Sequence, residues 1–417
     1  MRKYQDGLIV EQHIWKILHR IISIVVFIGW IKMEEEKVKK IIILFTGILL
    51  CISKVNADEI FAPSSKSAIL IEASTGEVLY EKNANEKLKP ASMTKMMTLL
   101  LTFEAIERGD LKLTDEVIVS INASGMGGSQ ILLETGEKMT VDNLIKGVAI
   151  ASGNDAAVAL AEKIGGTEDY FVELMNKRAT ELGLKNTHFQ NAHGIDAENH
   201  YSTAYDMSVI ARELLKHEKI TDYTKIYEMY LRENTNRKVW LVNTNKLVRF
   251  YDYIDGLKTG YTRGAGYCIT LTGMKNGMRL IAVTMDEPSI ESRNRETLGL
   301  IDYGFAQYEL ETLLSKESII ATKTIAKSIQ RKVDVVPLED IKVLNKKMQN
   351  KKTVTYKINI NNIEAPVNKG NVVGNITLIE NDKETRTIPL TVKESIKKAN
   401  IFELYLRNMK ELLLGQI

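Results

Sequence analysis

Cysteine, proline and histidine are scarce in this sequence. Of its 417 residues, 2 are cysteines, 6 are prolines and 6 are histidines. So few cysteines exclude a disulfide-dense secreted scaffold. Cys51 falls in an amino-terminal segment that we predict is removed, so the mature chain is expected to hold one thiol, Cys268, and no internal disulfide. The spacing of cysteine and histidine matches no metal-site motif, and we predict neither a metal nor an organic cofactor.

The chain also lacks a strong net charge and any basic run with interleaved aromatic residues. Its formal net charge is +3, which gives no support for a nucleic-acid partner. Hydrophobic residues make up 44% of the chain and charged residues 26%, values typical of a globular protein with a substantial core. The length predicts two or three domains rather than one.

Residues 33–57 have the pattern of a signal peptide. Basic residues from Lys37 to Lys40 precede an apolar stretch, Ile41–Ile52, and small residues before Asp58 provide a cleavage site. The apolar stretch is shorter than a transmembrane helix requires. We therefore expect an exported protein that works at the outer face of the cytoplasmic membrane.

Two alternatives remain for this end of the chain. Residues 1–32 contain a further apolar patch, and we interpret them as an upstream extension of the reading frame, with translation starting at Met33. The alternative is a pair of short membrane segments. Cys51 also permits a lipoprotein, which Leu50 disfavours because a small residue should precede a lipid-modified cysteine.

Residues 58–310 are predicted to form an α+β domain that carries the chemistry. Apolar runs flank a turn at Ser74–Glu77, and a second hairpin is predicted around Lys275–Gly277. The predicted helices are 92–108, 141–164, 167–182 and 291–308. Strands, a helical block, and strands with a covering helix together define an α+β fold, in which an antiparallel sheet accompanies an all-helical cluster.

Residues 313–392 are predicted to form a small all-β domain, a β-sandwich. The predicted strands are 332–336, 353–360, 372–379 and 385–391, and Asn368–Asn371 makes a turn. No cluster of residues in this domain indicates chemistry. We interpret the domain as a spacer or an interaction module.

Residues 394–417 are predicted to form an amphipathic helix. Its apolar positions follow helical spacing and are Phe402, Tyr405, Leu406, Met409, Leu412 and Leu413. Such a stripe can pack on its own domain or bind a membrane surface. Because it follows a complete β domain, we favour the membrane surface as its partner.

A hydroxyl and an amine stand one helical turn apart in Ser92-Met93-Thr94-Lys95. Side chains at i and i+3 share a helix face, so these two groups are expected to lie within reach of each other. A serine hydroxyl becomes nucleophilic when a neighbouring base takes its proton. Burial or an adjacent cation lowers the pKa of a lysine enough for it to be that base. Alone, the motif is weak, since a surface turn with a solvated lysine also fits it.

Two further motifs strengthen this interpretation. Ser152-Gly153-Asn154 interrupts an Ala-rich helical stretch, where it either lines a cleft or caps the helix that follows. Lys258-Thr259-Gly260 opens a predicted strand. Its lysine and threonine can bind a carboxylate, and its glycine lets a substrate backbone approach closely.

The three motifs occur in the order S-x-x-K, S-D-N and K-T-G that class A β-lactamases and penicillin-binding proteins share, with Ser-Gly-Asn in the middle position. From about residue 68 onward the chain resembles the low-molecular-mass penicillin-binding proteins of serine peptidase family S11. Further segments that carry the resemblance are Lys89–Lys95, Gly127–Gln130, Ala192–Gly194, His200–Ala204, Asn243–Lys246, Asp255–Thr262, Ala365–Val367 and Lys369–Gly370.

The resemblance implies a serine β-lactamase/transpeptidase-like catalytic domain that removes the terminal D-alanine from peptidoglycan stem pentapeptides. It implies that Ser92 is the acylated nucleophile and Lys95 its base. Ser152 would relay a proton and Asn154 would hold the substrate amide. β-Lactam antibiotics are expected to act as covalent inhibitors.

The resemblance also implies a carboxylate site. Lys258 and Thr259 would bind the terminal carboxylate, with Arg293 assisting, and Gly260 and Tyr261 would complete the substrate-binding strand. The oxyanion hole would consist of the backbone N–H groups of the nucleophilic serine and of Tyr261.

Within the same family pattern, His193 and His200 are interpreted as structural residues rather than members of a triad or metal ligands. Three alternatives remain. A β-lactamase would need a carboxylate that drives deacylation, and no convincing loop supplies one. A D,D-endopeptidase would share every catalytic residue, whereas a non-catalytic peptidoglycan-binding protein would not need an intact Ser92, Lys95 and Lys258.

Overall fold

The structure is a computed structural model that describes residues 61–380 and 382–413. The predicted upstream segment (1–32) and signal peptide (33–57) lie outside the described residues. So do the last residues, 414–417, of the predicted carboxy-terminal helix. The described residues all belong to one compact unit, Asp58–Ile417.

Strands at both ends of the catalytic region enclose a helical block. Its strands are β1 (Ser67–Glu72), β2 (Val78–Lys82), β3 (Glu116–Ile118), β4 (Lys138–Thr140), β5 (Glu228–Leu231), β6 (Val239–Val242), β7 (Ile254–Thr262), β8 (Gly266–Lys275) and β9 (Met278–Glu287). Its helices are α1 (Lys95–Glu107), α2 (Ile121–Ser124), α3 (Val141–Ala151), α4 (Asn154–Gly165), α5 (Glu168–Glu181), α6 (Ala204–Leu214), α7 (Ile220–Thr224), α8 (Leu247–Phe250) and α9 (Ile290–Gln307).

A five-stranded antiparallel sheet, in the order β2-β1-β9-β8-β7, forms the centre of this region. Both predicted hairpins are confirmed, because β1 pairs with β2 and β8 with β9. The prediction that a strand opens at Lys258 is wrong. β7 begins at Ile254, since pairing with β8 extends it across Asp255 and Gly256, two residue types that disfavour a strand in isolation.

The two faces of the sheet pack against different partners. Successive side chains of a strand point to opposite faces. Ile69 and its cross-strand partner Val283 join the core of the helical cluster. Leu70 and its partner Ala282 pack on the other side with Leu300 of α9. This layered arrangement confirms the α+β fold.

Cys268 on β8 is the only cysteine among the residues that the structure describes. Its side chain is fully buried, and its thiol donates a hydrogen bond of 3.3 Å to the carbonyl of Ala265. Burial raises the pKa of this thiol to about 12. The thiol is therefore protonated, and inert as a nucleophile, at neutral pH.

Three more strands than predicted occur in the β domain. Its strands are β10 (Tyr308–Leu314), β11 (Ala321–Thr324), β12 (Lys332–Pro337), β13 (Ile341–Lys346), β14 (Val354–Ile360), β15 (Gly374–Glu380) and β16 (Lys383–Val392). β10 pairs with β13, and the other five form a sheet in the order β11-β12-β16-β15-β14. Buried side chains such as Val335, Ile376 and Leu390 form its core.

Contacts between the β domain and the catalytic region are both apolar and ionic. Leu344 of β13 joins the core under α9. The Lys352 ammonium lies 2.7 Å from Glu77, beside β2, and 3.0 Å from Glu380 of β15. These contacts fix the position of the β domain on the catalytic region.

The carboxy-terminal helix is shorter than predicted. Residues 394–400 are not helical, because Ile396 and Lys398 form bridges with Val367 and Ser328 of the β domain. The helix α10 is Ile401–Leu413. Every member of the predicted apolar stripe is solvent-exposed, at 40–78%, so the stripe does not pack on its own domain.

Within 61–380 and 382–413, no helix combines the length and the hydropathy that crossing a membrane requires.

Candidate active site

Ser92 lies in a tight turn that leads directly into α1. Ala91–Thr94 form a 3₁₀ helix, and α1 begins at Lys95. The predicted α-helix from Ser92 is therefore wrong in its first turn. Ala91 has a positive φ of 47°, which turns the chain sharply before the serine. Ser92 is only half-buried, whereas its neighbours in this turn are buried.

The Lys95 side chain is fully buried and surrounded by oxygen atoms. Its Nζ lies 2.9 Å from Ser92 Oγ, 2.6 Å from Asn154 Oδ1 and 2.6 Å from the carbonyl oxygen of His193. A neutral amine has two N–H bonds and one lone pair. The two carbonyl oxygens can only accept, so they take the N–H donors. The lone pair is then directed at the serine hydroxyl, the one partner that can donate.

The surroundings favour this neutral form. Burial lowers the pKa of Lys95 well below its usual value, and the positive charge of Lys258 lowers it further, against a smaller opposing effect of Asp155. The sequence-based expectation of a depressed pKa at Lys95 therefore agrees with its environment. Such an amine can accept the serine proton near neutral pH.

Ser152 and Asn154 lie where two helices meet. Ser152 ends α3 in the left-handed conformation, with φ of 62°, and is buried. Gly153 precedes α4, and no side chain caps that helix, so the capping interpretation of this motif is wrong. Asn154 reaches into the site, where its Oδ1 accepts from Lys95 and its Nδ2 donates to the Gly127 carbonyl over 2.6 Å.

The K-T-G motif lies in the middle of β7, which runs beside the serine turn. A Cβ atom added to Gly260 would lie 2.9 Å from the Pro90 carbonyl oxygen and 3.1 Å from the Ser92 nitrogen. The glycine is thus required by the close approach of β7 to the nucleophile turn. That reason differs from the predicted one, which was the approach of a substrate backbone.

Lys258 and Thr259 form one wall of the site. The buried Lys258 ammonium donates to the Thr259 carbonyl over 2.9 Å. Burial and the nearby Arg293 guanidinium lower the pKa of Lys258 to about 7. The Thr259 hydroxyl donates to Thr244 Oγ1 over 2.8 Å. The two basic side chains, Lys258 and Arg293, form a site suited to a carboxylate.

Tyr261 and the two predicted structural histidines complete the site residues. Tyr261 is 56% exposed and stacks on Tyr267, with ring centroids 4.4 Å apart.

The two histidines are hydrogen-bonded within the structure around the site. His200 Nδ1 accepts from the Gln190 backbone over 3.0 Å, and its Nε2 lies 2.8 Å from Thr94 Oγ1. Burial lowers the pKa of His193 to about 3 and that of His200 to about 4, so both imidazoles are neutral.

Asp155 was not predicted, although it holds the far wall of the site in place. Its buried carboxylate accepts from the backbone N–H groups of Ile131 and Leu133 over 3.0 and 3.1 Å. The Asn154 N–H donates to the Ser129 carbonyl of the same segment over 2.7 Å. An acidic residue directly after Ser-Gly-Asn was a signal that could have identified it.

The site thus places a half-buried hydroxyl beside a buried amine whose pKa is lowered well below its usual value, with the basic side chain of Lys258 on the adjacent strand. Such a constellation can transfer an acyl group from a substrate that ends in a carboxylate. The fold and the site together define a serine hydrolase of the penicillin-binding class.

Comparison with known proteins agrees with this class. Residues 53–289 match the family model described as D-alanyl-D-alanine carboxypeptidase. Residues 308–398 match the model of the penicillin-binding protein 5 carboxy-terminal domain. The chain belongs to the D-alanyl-D-alanine carboxypeptidase family and is a serine-type D-alanyl-D-alanine carboxypeptidase. The expectations of family, fold and enzyme activity are thereby confirmed.

Individual relatives span both regions of the chain. The D-alanyl-D-alanine carboxypeptidase DacF of Bacillus subtilis is 48% identical over 84% of this chain and 90% of its own length. The crystal structure of penicillin-binding protein 5 from Haemophilus influenzae covers 80% of this chain and 98% of that chain, with 29% identity and a TM-score of 0.64. Penicillin-binding protein D2 of Listeria monocytogenes in its cefotaxime-bound form covers 58% of this chain and 97% of that chain, with 29% identity and a TM-score of 0.53.

The close approach at Gly260 gives a testable prediction. Gly260→Ala forces the serine turn or β7 to move, and a displacement near 1 Å can cost about 100-fold in rate. We expect kcat/KM for D-alanine release to fall by roughly 10- to 100-fold, measured in a coupled D-alanine assay. The matched control is Gly299→Ala in α9, where a Cβ meets no atom within 4 Å. Equal activity of the two variants would contradict the prediction.

Proposed function

We propose that Ser92 attacks the carbonyl carbon of the penultimate D-alanine of a peptidoglycan stem pentapeptide. Lys95 takes the hydroxyl proton as the C–O bond forms, and the C–N bond to the terminal residue then breaks. The leaving amine receives a proton and departs as D-alanine, which leaves an ester on the serine. Water hydrolyses this ester and restores the enzyme. The observation that carries the proposal is the position of the buried Lys95 Nζ, which lies 2.9 Å from Ser92 Oγ and 2.6 Å from each of two carbonyl oxygens.

The other site residues recognise the substrate in this proposal. Lys258 and Thr259 bind the terminal carboxylate, and Arg293 adds positive charge behind them. The backbone N–H groups of Ser92 and Tyr261 form the oxyanion hole. Ser152 relays the proton to the leaving amine. Asn154 has a dual part, since its carbonyl oxygen orients Lys95 and its amide group faces the substrate.

β-Lactams are proposed to acylate the same serine, because their strained amide resembles the scissile D-alanyl-D-alanine bond. A relative has been crystallised in a cefotaxime-bound form, which supports this proposal. Mass spectrometry of the mature protein with and without penicillin tests it. We expect one covalent adduct per chain on the tryptic peptide that contains Ser92, and an adduct on another residue would refute it.

The low pKa of Lys258 predicts an alkaline limit on substrate binding. As pH rises through about 7, the ammonium of the free enzyme loses its proton, and the terminal carboxylate loses its counter-charge. We expect kcat/KM to fall above this pH. Lys258→Arg keeps its cation because a guanidinium does not deprotonate in this range, so its alkaline limit should move to higher pH. A pH profile of kcat/KM that is identical in both proteins would assign the limit to another group.

We also propose that the protein is exported, with a mature chain starting at Asp58, and that it lies at the outer face of the cytoplasmic membrane through α10. The exposed apolar stripe of α10, which includes Phe402 and Leu413 at 68% and 78% exposure, supports a partner that covers it. Edman degradation or mass spectrometry of protein secreted from cells identifies the mature amino terminus.

The membrane proposal predicts the behaviour of surface variants. Phe402→Ser/Leu413→Ser is expected to lower vesicle binding about tenfold or more, because each deleted apolar side chain removes more than 1 kcal/mol of transfer free energy. Sedimentation with anionic phospholipid vesicles measures this. Ile319→Ser is the matched control, since Ile319 is 53% exposed on the β domain. Unchanged vesicle binding by the double variant would refute the proposal.

A further inference from the structure

The hairpin of β5 and β6 carries a pair of exposed aromatic rings. Tyr230 and Trp240 are direct cross-strand partners, and they are 45% and 57% exposed. Their ring centroids lie 6.5 Å apart with an interplanar angle of 27°. The Lys238 ammonium lies 3.8 Å from the centroid of the tyrosine ring. We call these three residues the aromatic ridge.

The hairpin does not need aromatic residues at these positions for its own folding. Leu231 and Leu241 point inward and are 2% and 1% exposed, so they supply the buried face. Because side chains alternate along a strand, positions 230 and 240 face water. Single exposed apolar residues are ordinary. Two stacked rings with a cation over one of them form a continuous surface that suits a flat, weakly polar ligand.

The ridge is held next to the catalytic cleft. Beyond β6, the Thr244 hydroxyl accepts from Thr259 of the carboxylate site. At the other end of the hairpin, the Arg232 guanidinium donates to the Ile131 carbonyl over 3.1 Å and forms a 2.5 Å ion pair with Glu137. The hairpin therefore connects both walls of the cleft and has a fixed position relative to them.

We propose that the aromatic ridge binds the glycan strand of peptidoglycan while a stem peptide of that strand occupies the cleft. This inference rests on the proposed substrate. Four residues separate the glycan linkage of a pentapeptide from its scissile bond, about 13 Å of extended chain. Thr244, which contacts the carboxylate site, is four positions along the chain from Trp240, so at most about 13 Å of chain separates the ridge from that site. The C–H faces of sugar rings stack on aromatic rings. Lys238, whose ammonium also lies 3.9 Å from Glu233, adds positive charge beside the rings for the carboxylates of the anionic polymer.

The experiment compares two substrates in the full mature chain. One is a soluble pentapeptide without glycan, and the other is un-cross-linked glycan strands that carry the same peptide. For Tyr230→Ala/Trp240→Ala we expect KM on the glycan-linked substrate to rise roughly tenfold, the effect of losing aromatic anchors. The kcat and KM on the soluble peptide should stay within about twofold of wild type, since neither ring touches the proposed reacting groups.

Two further variants and a direct binding measurement make the result specific. Tyr230→Phe/Trp240→Phe keeps both rings and should retain activity on the glycan-linked substrate. Tyr170→Ala removes an aromatic ring that is 52% exposed on α5 and should behave as wild type. Co-sedimentation with glycan strands freed of their peptides should be lost in the double alanine variant alone.

The possible outcomes separate the two proposals. Equal effects of the double alanine variant on both substrates, or no effect on either, would overturn the role of the ridge. So would a double alanine variant that no longer binds phospholipid vesicles but still binds glycan strands as wild type does. If the wild-type enzyme released D-alanine from neither substrate, the proposed function would fail. Co-sedimentation with peptide-free glycan would still test the ridge in that case, because it requires no catalysis.

Discussion

Ser92→Ala is expected to abolish D-alanine release, with kcat lowered by about 10⁴-fold or more. Removing the nucleophile of a covalent mechanism removes the acyl-enzyme, and only substrate binding and electrostatic stabilisation remain. The substitution deletes the hydroxyl oxygen of a half-buried residue, which lies 2.9 Å from Lys95 Nζ. Its effect on folding is therefore small, and a thermal melt checks this.

Penicillin labelling distinguishes Ser92 from the second serine of the site. Ser92→Ala should take up no fluorescent penicillin at any incubation time. Ser152→Ala should label slowly but reach one adduct per chain, because it loses the proposed proton relay and retains the nucleophile. Stoichiometric labelling of Ser92→Ala would show that another residue is acylated, and the mechanism proposed above would then be wrong.

Replacement of Lys95 is expected to cost nearly as much, about 10³- to 10⁴-fold in kcat, since general-base catalysis contributes on this scale. Two variants separate its possible roles. Lys95→Met removes the amine at similar length. Lys95→Arg keeps a positive charge, but a guanidinium cannot accept a proton near neutral pH.

If Lys95 acts as the base, both variants should be inactive. A lysine that served only to supply positive charge would be replaced in part by arginine, so substantial activity of Lys95→Arg would contradict the proposal. The pH profile adds an independent test. The charge on Lys258 lowers the pKa of Lys95, so Lys258→Gln should raise that pKa. The acidic limb of the pH profile of kcat, which reports deprotonation of Lys95, should then move to higher pH.

Much of the catalytic fold could be predicted because its elements have local signals. The hairpins β1–β2 and β8–β9 combine apolar runs with glycine-containing turns. β10 and β11 were missed, since their mostly exposed or half-exposed positions give no clear alternation. β13 is mostly buried, but its short segment includes two lysines and an asparagine and gives no clear strand pattern either. β10 and β13 pair with each other and β11 pairs with β12, and the short segments themselves carry no signal of this pairing.

The chemical groups of the site were predictable where side chains carry them. Ser92, Lys95, Asn154 and Lys258 belong to motifs, and the structure brings them together. The carbonyl oxygens of His193 and Gly127 could not be predicted, because every residue has a carbonyl and only the fold selects these two. The reason for Gly260 was also inaccessible, since it depends on β7 meeting a turn that lies far away in the chain.

The buried, protonated state of Cys268 makes a chain that starts at the proposed mature terminus, Asp58, a convenient background for spectroscopy. A maleimide fluorophore or a nitroxide added at neutral pH would leave this thiol unmodified. A cysteine introduced at Tyr230 or at Phe402 would then carry the only probe, without prior mutagenesis of the native residue. Fluorescence quenching by cell-wall polymer or by lipid could follow each surface separately in the active enzyme.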